Sequence, residues 1–194
     1  MSEFDSIIRN VNRFVQLSED EAAVFTSLLR IVRVKKKQLI VQPDFVCKYR
    51  TYVITGALKA YYLDDDGAEH TIGLAIDDWW ISDFSSYINQ EPATLFVEAI
   101  EESILIQISY DDEQKLYELV PKFERFFRLH IQRAASSMQK RMLWNLSKTA
   151  AERYDELANK YPRFLAKFPQ YVIASYLGIT TQFLSKIRNN KAKS

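Results

Sequence analysis

The spacing of apolar residues changes twice along the chain and divides it into three parts. Up to about residue 32, apolar residues recur three or four positions apart, as in amphipathic helices. From Ile31 to about Ser109 the period is two, and the segments are rich in β-branched and aromatic residues, which predicts strands. From Tyr110 onward the helical period returns. The pattern therefore predicts an α+β protein with helices on both sides of a strand-rich middle.

The first part predicts two helices that pack on the strands. The second of them begins at Ser18, because Glu21 three residues later completes the S-E-D-E capping box. The middle part contains five strand-like segments: KKKQLIVQ, KYRTYVITGALKAYYL, EHTIGLAI, TLFVEAI and SILIQIS. Gly56 predicts a turn or bulge, and the acidic run ending in Gly67 predicts a hairpin loop. Many short strands separated by turns are typical of a β-roll or barrel.

An aromatic segment, DDWWISDFSSYINQEPAT, interrupts the strands between Asp77 and Thr94. A short helix is expected to begin near Ser82. Two interpretations stay open for the aromatic side chains. They either plug the roll or form the wall of a pocket for a small molecule.

The third part opens with a short helix capped by Asp111 and a longer one that starts at Pro121. Steps of three and four residues predict a coiled-coil-like stripe along the longer helix. The predicted stripe consists of Phe127, Ile131, Ala134, Ala135, Met138 and Met142. We expect one face of this helix to join a second copy of the chain and another face to pack on the roll. A further helix begins at Ser147 or Thr149, and the loop KYPRFLAKFPQ follows it.

The stretch QYVIASYLGITTQFLSKIRNN, residues 170–190, predicts two short helices joined by a tight turn. Gly178 allows the positive φ that such a turn needs, and Thr180 is a suitable N-cap for the second helix. The small Ala174 stands where the helices would touch, and Phe183 and Leu184 are expected on the apolar face of the second. This is the pattern of a DNA-binding helix-turn-helix, with an ordinary core hairpin as the alternative.

Charge is distributed unevenly, although the formal net charge is only +1. Residues 1–121 hold 11 Lys/Arg against 21 Asp/Glu, and residues 122–194 hold 15 against 4. Beyond Thr180 there is no acidic residue, whereas Lys186, Arg188, Lys191 and Lys193 are present. The basic C-terminal part favours a polyanionic partner such as nucleic acid.

Composition argues against several other classes of protein. The single cysteine, Cys47, excludes an intrachain disulfide and a four-cysteine cluster, and the two widely separated histidines, His70 and His130, give no metal triad. We see no Ser-His-Asp pattern and no glycine-rich phosphate loop, so we expect no enzyme activity, metal or cofactor. The polar, acidic first residues and the lack of a long apolar run predict a cytoplasmic protein that does not enter a membrane.

The order of these parts resembles the Crp/Fnr family of transcription regulators, related to the cyclic-AMP receptor protein. The resemblance covers nearly the whole chain and depends on KKKQLIVQPDFVCKYRTYVITGALKAYYLDDDG and QYVIASYLGITTQFLSKIR. It implies a cyclic-nucleotide-binding-like double-stranded jelly roll over residues 1–120, a dimerisation helix over 121–146 and a helix-turn-helix domain over 147–194. It also implies double-stranded DNA and a second copy of the chain as partners, with RNA polymerase as a further expected partner.

The resemblance also implies roles for individual residues. The family's base-reading positions fall on Thr181, Gln182, Ser185 and Lys186. Residues expected to contact phosphates are Tyr171, Thr180, Arg188 and Asn189. The effector pocket would be lined by Trp80, Ser82, Asp83, Phe84, Ala93 and Thr94.

One departure from the family concerns its phosphate cassette, Gly-Glu followed by Arg-Ser/Thr-Ala. An ungapped alignment places Ser82 and Asp83 over the Gly-Glu pair, and Ala93, Thr94 and Leu95 over the second motif. The arginine is absent, so a buried cyclic phosphate would lack its bidentate partner, and Asp83 would repel it. The sequence therefore predicts no tight cyclic-AMP binding, and an effector that is unknown.

Overall fold

The computed structural model describes residues 3–191, in which two four-stranded antiparallel sheets face each other as a β-roll. The strands are β1 Arg30–Val34, β2 Leu39–Val41, β3 Tyr49–Thr55, β4 Ala57–Leu63, β5 Glu69–Ile76, β6 Trp80–Ile81, β7 Phe96–Ala99 and β8 Ser103–Ser109. The first sheet has the order β1-β8-β3-β6 and the second the order β2-β7-β4-β5. The second sheet therefore ends in β5, which has one unpaired edge.

Helices surround the roll, so the predicted α+β class is confirmed. They are α1 Asp5–Asn12, α2 Glu19–Ser27, α3 Phe84–Asn89, α4 Tyr110–Leu119, α5 Lys122–Ser147, α6 Ala150–Lys160, α7 Pro162–Lys167, α8 Gln170–Leu177 and α9 Thr181–Lys191. Within residues 3–191, no helix combines the length and the apolar character needed to cross a membrane. The proposed divisions after residues 120 and 146 stay predictions.

Three apolar clusters hold these elements together. The first fills the space between the sheets, with Val53, Leu58 and Leu105 at its centre. The second lies on the outer face of the first sheet, under α1, α2, α4 and the beginning of α5. The third lies on the outer face of the second sheet, where Leu74 and Ile76 pack against α6, α7 and α8. The C-terminal helices thus share a core with the roll.

Local signals in the sequence account for several element ends. Ser18 and Glu21 form the predicted capping box at the start of α2. Gly56 joins β3 to β4 at φ 125°, where an added Cβ would lie 2.0 Å from the hydroxyl of Ser103, so only glycine fits. The hairpin between β4 and β5 closes at Gly67, with φ 77°.

Other elements differ from the sequence prediction. The loop expected before the helix-turn-helix contains α7, which Pro162 begins. Ser109, rather than Asp111, caps α4, because its hydroxyl accepts the N–H of Asp112. Residues 30–32, predicted to end the helical part, begin β1 instead, because they pair with β8.

Candidate nucleic-acid interface

The helix-turn-helix forms as its pattern predicts. Gly178 ends α8 in the left-handed region at φ 67°, and the hydroxyl of Thr180 accepts the N–H of Phe183 at 3.2 Å in the first turn of α9. Leu184 and Ile187 are buried on the inner face of α9, while Ala174 is buried in α8. The outer face of α9 is the side opposite Leu184 and Ile187, where the side chains are exposed.

The base-reading candidates lie on that outer face, although they differ in availability. Thr181, Gln182 and Lys186 are exposed. Ser185 is half-buried, and its hydroxyl donates to the carbonyl of Thr181 at 3.0 Å, so it is already engaged within the helix. The structure thus presents three exposed side chains, and the reading role stays a prediction.

The phosphate-contact candidates surround the same face. Arg188 and Asn189 are exposed near the end of α9, and Thr180 is exposed at its start. Tyr171, half-exposed on α8, has its ring 5.7 Å from the ammonium of Lys59 on the roll. There is no acidic residue in the first turn of α9, so its N-terminal N–H groups and helix dipole keep their attraction for an anion. Lys191 forms an ion pair with Asp155, and Lys193 lies outside the described residues.

The sequence predicted Phe183 on the buried face of α9, and this prediction is wrong. Phe183 is 46% exposed, because the turn at Gly178 places Leu184 and Ile187 toward α8 instead. An exposed phenyl ring on a reading surface can contact the methyl group of thymine. Apolar spacing alone could not distinguish it from the neighbouring core residue.

The second predicted surface is the stripe on the outer side of α5, which is expected to join two copies of the chain. Ala134, Ala135, Met138 and Met142 are exposed, and Ile131 is half-buried. Leu146, 80% exposed, continues this stripe one turn further, which the sequence prediction missed. Phe127 was wrongly included, because it is buried in the cluster under the first sheet and cannot reach a partner.

Two of the predicted effector-pocket residues, Asp83 and Thr94, are in direct contact. Asp83 is buried, and its carboxylate accepts the backbone N–H groups of Ser86, Thr94 and Leu95 at 2.9–3.1 Å. Ser82 accepts the N–H of Thr51, and Ala93 is buried. The carboxylate of Asp83 therefore already accepts hydrogen bonds from backbone N–H groups in the segment that aligns with the family's phosphate cassette.

The aromatic residues of this segment serve mainly in packing. Trp80 points to the helical side, where its indole N–H donates to Asn10 and its ring lies 5.7 Å from that of Phe127. Trp79 lies 5.2 Å from the ring of Phe164 in α7. Phe84 is 46% exposed. The placement of Trp80 and Phe84 does not fit a shared pocket wall with Asp83.

A buried ion pair that the sequence did not reveal lies beside this segment. The guanidinium of Arg50 donates to both carboxylate oxygens of Glu113 at 2.6 and 2.8 Å. The hydroxyls of Tyr87 and Tyr117 donate to the same carboxylate, and the Arg50 guanidinium lies 4.5 Å from the centre of the Phe127 ring. The network ties β3 to α3, α4 and α5. Residues so far apart in sequence carry no local signal of such a contact.

A separate open cavity of about 330 Å³ lies at the edge of the roll and contains none of the predicted pocket residues. It lies between β2 and the start of β3, with Leu39, Val41, Phe45 and Tyr49 among its lining residues. Among residues 3–191, no cluster of three or more His, Cys, Asp or Glu side chains could hold a metal ion.

Solved structures share this arrangement of roll, long helix and helix-turn-helix. FixK2 from Bradyrhizobium japonicum superposes with a TM-score of 0.75 at 20% identity over 85% of each chain. The c-di-GMP responsive global regulator CLP from Xanthomonas campestris gives 0.69 at 13% identity, over 91% of this chain and 93% of that one. A crp/fnr-family protein from Eubacterium rectale gives 0.69 at 18% identity, over 91% of this chain and 85% of that one.

The chain has the fold of the Crp/Fnr regulators. No protein-family model matches its sequence, and a search of the curated proteins gives no match. The Crp/Fnr fold nevertheless extends through both the roll and the C-terminal helices, since the superpositions cover most of each chain. At these identities, 13–20%, the likeness concerns the fold alone.

Proposed function

We propose that this protein is a homodimeric, sequence-specific DNA-binding transcription regulator whose β-roll senses a small molecule other than cyclic AMP. The observation that carries the proposal is the outer face of α9. Thr181, Gln182 and Lys186 are exposed there together, while the apolar side of the helix is buried against α8. Gln can pair with the N6 and N7 atoms of adenine, and Lys can reach the O6 and N7 atoms of guanine.

The surroundings of α9 suit a nucleic-acid partner. Arg188 and Lys186 are exposed cations, and the sequence beyond residue 121 carries 15 basic against 4 acidic residues. Attraction to phosphates would position the helix, and the base-reading side chains would then discriminate between sequences.

The exposed stripe on α5 supports the dimer. Its members recur at steps of three and four residues, as in two-stranded coiled coils, and apolar side chains such as Met138, Met142 and Leu146 are costly to leave in water. Pairing two copies of α5 would bury them. A two-fold axis along this helix would place two α9 helices about 34 Å apart, one turn of DNA.

The position of Asp83 supports an effector other than cyclic AMP. A carboxylate that already accepts three backbone N–H groups leaves those donors unavailable to a phosphate and adds a negative charge next to it. The effector, if the roll binds one, must be recognised by other groups.

Selection of binding sites from a random DNA library tests the proposal. We expect recovery of a two-fold symmetric site with half-sites about one helical turn apart, bound at least about a thousandfold more tightly than unrelated DNA. If the protein enriches no sequence and its weak DNA binding is the same for all duplexes, the proposed function is wrong. The roll would then belong to a small-molecule-binding protein with a helical domain that does not read DNA.

A further inference from the structure

The free edge of β5 is the place where the C-terminal helices meet the roll. Ala60 pairs with Gly73 and Tyr61 pairs with Thr71, so Ile72 is the extra residue of a β-bulge. A bulge in an edge strand turns neighbouring backbone groups outward, where they need partners other than a strand. The groups concerned are the carbonyls of Glu69, Thr71 and Ile72 and the N–H of Thr71.

Ser175 of α8 satisfies part of this edge. Its hydroxyl donates to the carbonyl of Glu69 at 2.7 Å and accepts the N–H of Thr71 at 2.8 Å. One side chain of the helix-turn-helix thus takes the place that a neighbouring strand would have. The contact joins residues more than 100 positions apart.

Arg141 of α5 satisfies the rest. Its guanidinium donates to the carbonyls of Thr71, at 3.1 Å, and Ile72, and to the carbonyl of Tyr176 at 3.2 Å. It also lies 3.9 Å from the centre of the Tyr176 ring. The planar fork of arginine suits this set of acceptors, because its donors point in fixed, diverging directions. Arg141 therefore contacts the roll and α8 from its own position on α5.

We propose that Arg141, supported by Ser175, is a positioning residue that fixes α8 and α9 in one orientation relative to α5 and so sets the half-site spacing that the dimer accepts. The spacing part of this inference rests on the proposed function. α9 is carried by α8 through their shared core, and α5 would lie along the two-fold axis. A rotation of α8 away from α5 would break the Tyr176 contact and the Ser175 hydrogen bonds at the bulge together.

The contacts by which Arg141 holds α8 against β5 are here called the clamp. Hydrogen exchange tests this clamp without DNA. The variant is Arg141→Met, and the matched control is Lys140→Met, because Lys140 is exposed on another side of the same helix. The thioether side chain of the Arg141→Met variant cannot donate to the bulge, yet the substitution removes no acceptor of the Thr71 N–H. If α8 is held by Arg141, we expect the Thr71 amide and those of α8 to exchange about tenfold faster or more, with β3 and β8 unchanged. Exchange equal to wild type at these amides would overturn the clamp.

Binding-site selection with variable spacing tests the positioning role. The wild-type dimer is expected to favour one spacing by about tenfold over spacings two base pairs shorter or longer. Arg141→Met should keep the preferred half-site sequence and lose most of the spacing preference, whereas Lys140→Met should keep both. A merely structural role would weaken all spacings alike, and that result, or an unchanged spacing profile, refutes the proposal.

Two further variants guard against a folding defect. Arg141→Lys keeps the charge but cannot reach three acceptors as a fork, so it should show the same changes to a smaller degree. Ser175→Ala should speed exchange at Thr71. If wild type enriches no DNA site, the proposed function fails and the spacing role fails with it, while faster exchange in Arg141→Met still identifies the clamp.

Discussion

Among single residues, Asp83 illustrates how backbone N–H groups of the chain itself satisfy a buried carboxylate. Its carboxylate has no cation within the described contacts, but three backbone N–H groups donate to it and link the start of α3 to the segment before β7. The sequence comparison aligned this residue with the acidic position of the family's phosphate cassette. It could not show that the chain's own amides, rather than a ligand, would face it, because those contacts depend on the path of the loop at Thr94.

Replacing Asp83 tests its structural role. Asp83→Ala leaves three N–H groups without their acceptor, so we expect a loss of about 2–4 kcal/mol in the free energy of unfolding, measured by urea denaturation. Asp83→Asn should lose less, because the amide oxygen still accepts.

In the same preparation, isothermal titration of wild type with cyclic AMP should show no binding at micromolar concentration. Micromolar or tighter binding would contradict the role given to Asp83.

Lys186 and Arg188 differ in what they should contribute to DNA recognition. Lys186→Ala is expected to relax the preference at one base pair by about 1–3 kcal/mol, because the proposed role of its ammonium is contact with a base edge. Arg188→Ala should weaken all sequences alike, because the proposed role of its guanidinium is contact with a phosphate, which carries no sequence information. Competition binding with single-base variants of the selected site measures both. Equal weakening of every sequence by both variants would show that the roles are misassigned.

His130 links the stability of the protein to pH. Its ring lies among those of Phe14, Trp80 and Phe126, and burial, with Arg50 and Arg133 nearby, lowers its pKa to about 4. In the unfolded chain the imidazole of His130 takes up a proton near pH 6.5, whereas in the folded protein it stays neutral down to about pH 4. The free energy of unfolding is therefore highest above pH 6.5 and decreases as the pH falls from 6.5 toward 4. Wild type should lose about 2 kcal/mol more than His130→Phe between about pH 7 and pH 5 in urea denaturation. Parallel losses in the two proteins would exclude His130 as the cause.

At the scale of elements, the periodicity of apolar residues predicted which helices and strands form better than it predicted what each of them packs against. The long helix, the paired helices and most strands were found from spacing of apolar residues, because that spacing reflects which face is buried. Spacing could not divide α5 into an inner part, where Phe127 packs, and an outer part, where Met138 is exposed. Both parts have the same period, and only the position of the roll separates them. α7 was missed because Pro162 and Pro169 suggested a loop, although proline is also a good first residue of a helix.

The exposed stripe of α5 should determine the association of two copies. Met138→Glu combined with Met142→Glu places like charges across the proposed seam and removes its apolar contacts, so the dimer should dissociate to monomers at micromolar concentration. Sedimentation equilibrium measures the change. Lys140→Glu, on another side of the helix, is the control and should stay dimeric. A wild-type protein that is monomeric at all concentrations would rule out this seam.

For the whole molecule, the uneven distribution of charged residues along the chain is more informative about a partner than the net charge of +1. The acidic excess up to residue 121 and the basic excess beyond it nearly cancel, yet Lys186 and Arg188, both exposed on α9, lie on the basic side. The composition revealed this separation, whereas the contacts that join the two parts, such as Arg50 with Glu113 and Arg141 with the bulge at Ile72, required the fold. They bring together residues far apart in the chain, and no local pattern predicts them.

The same separation predicts a salt dependence. If Arg188 of each copy displaces phosphate counterions, two cations in a dimer give a slope of about −2 for log affinity against log salt, and about a tenfold loss of affinity between about 50 and 200 mM. Fluorescence anisotropy with the selected site measures the slope. Arg188→Ala should flatten it, and an equally steep slope in that variant would assign the phosphate contacts to other residues.

The outermost strand of the second sheet has a practical consequence for anyone who divides the molecule. A fragment that stops after β8 would lack both Arg141 and Ser175, and the bulged margin of β5 would be left bare to water. Bare strand margins recruit strands from neighbouring molecules, so such a sensor fragment is expected to self-associate and precipitate during expression, even with an intact interior. A fragment intended for ligand screening should therefore retain the helices through residue 177, or carry a charged substitution such as Ile72→Lys on that margin.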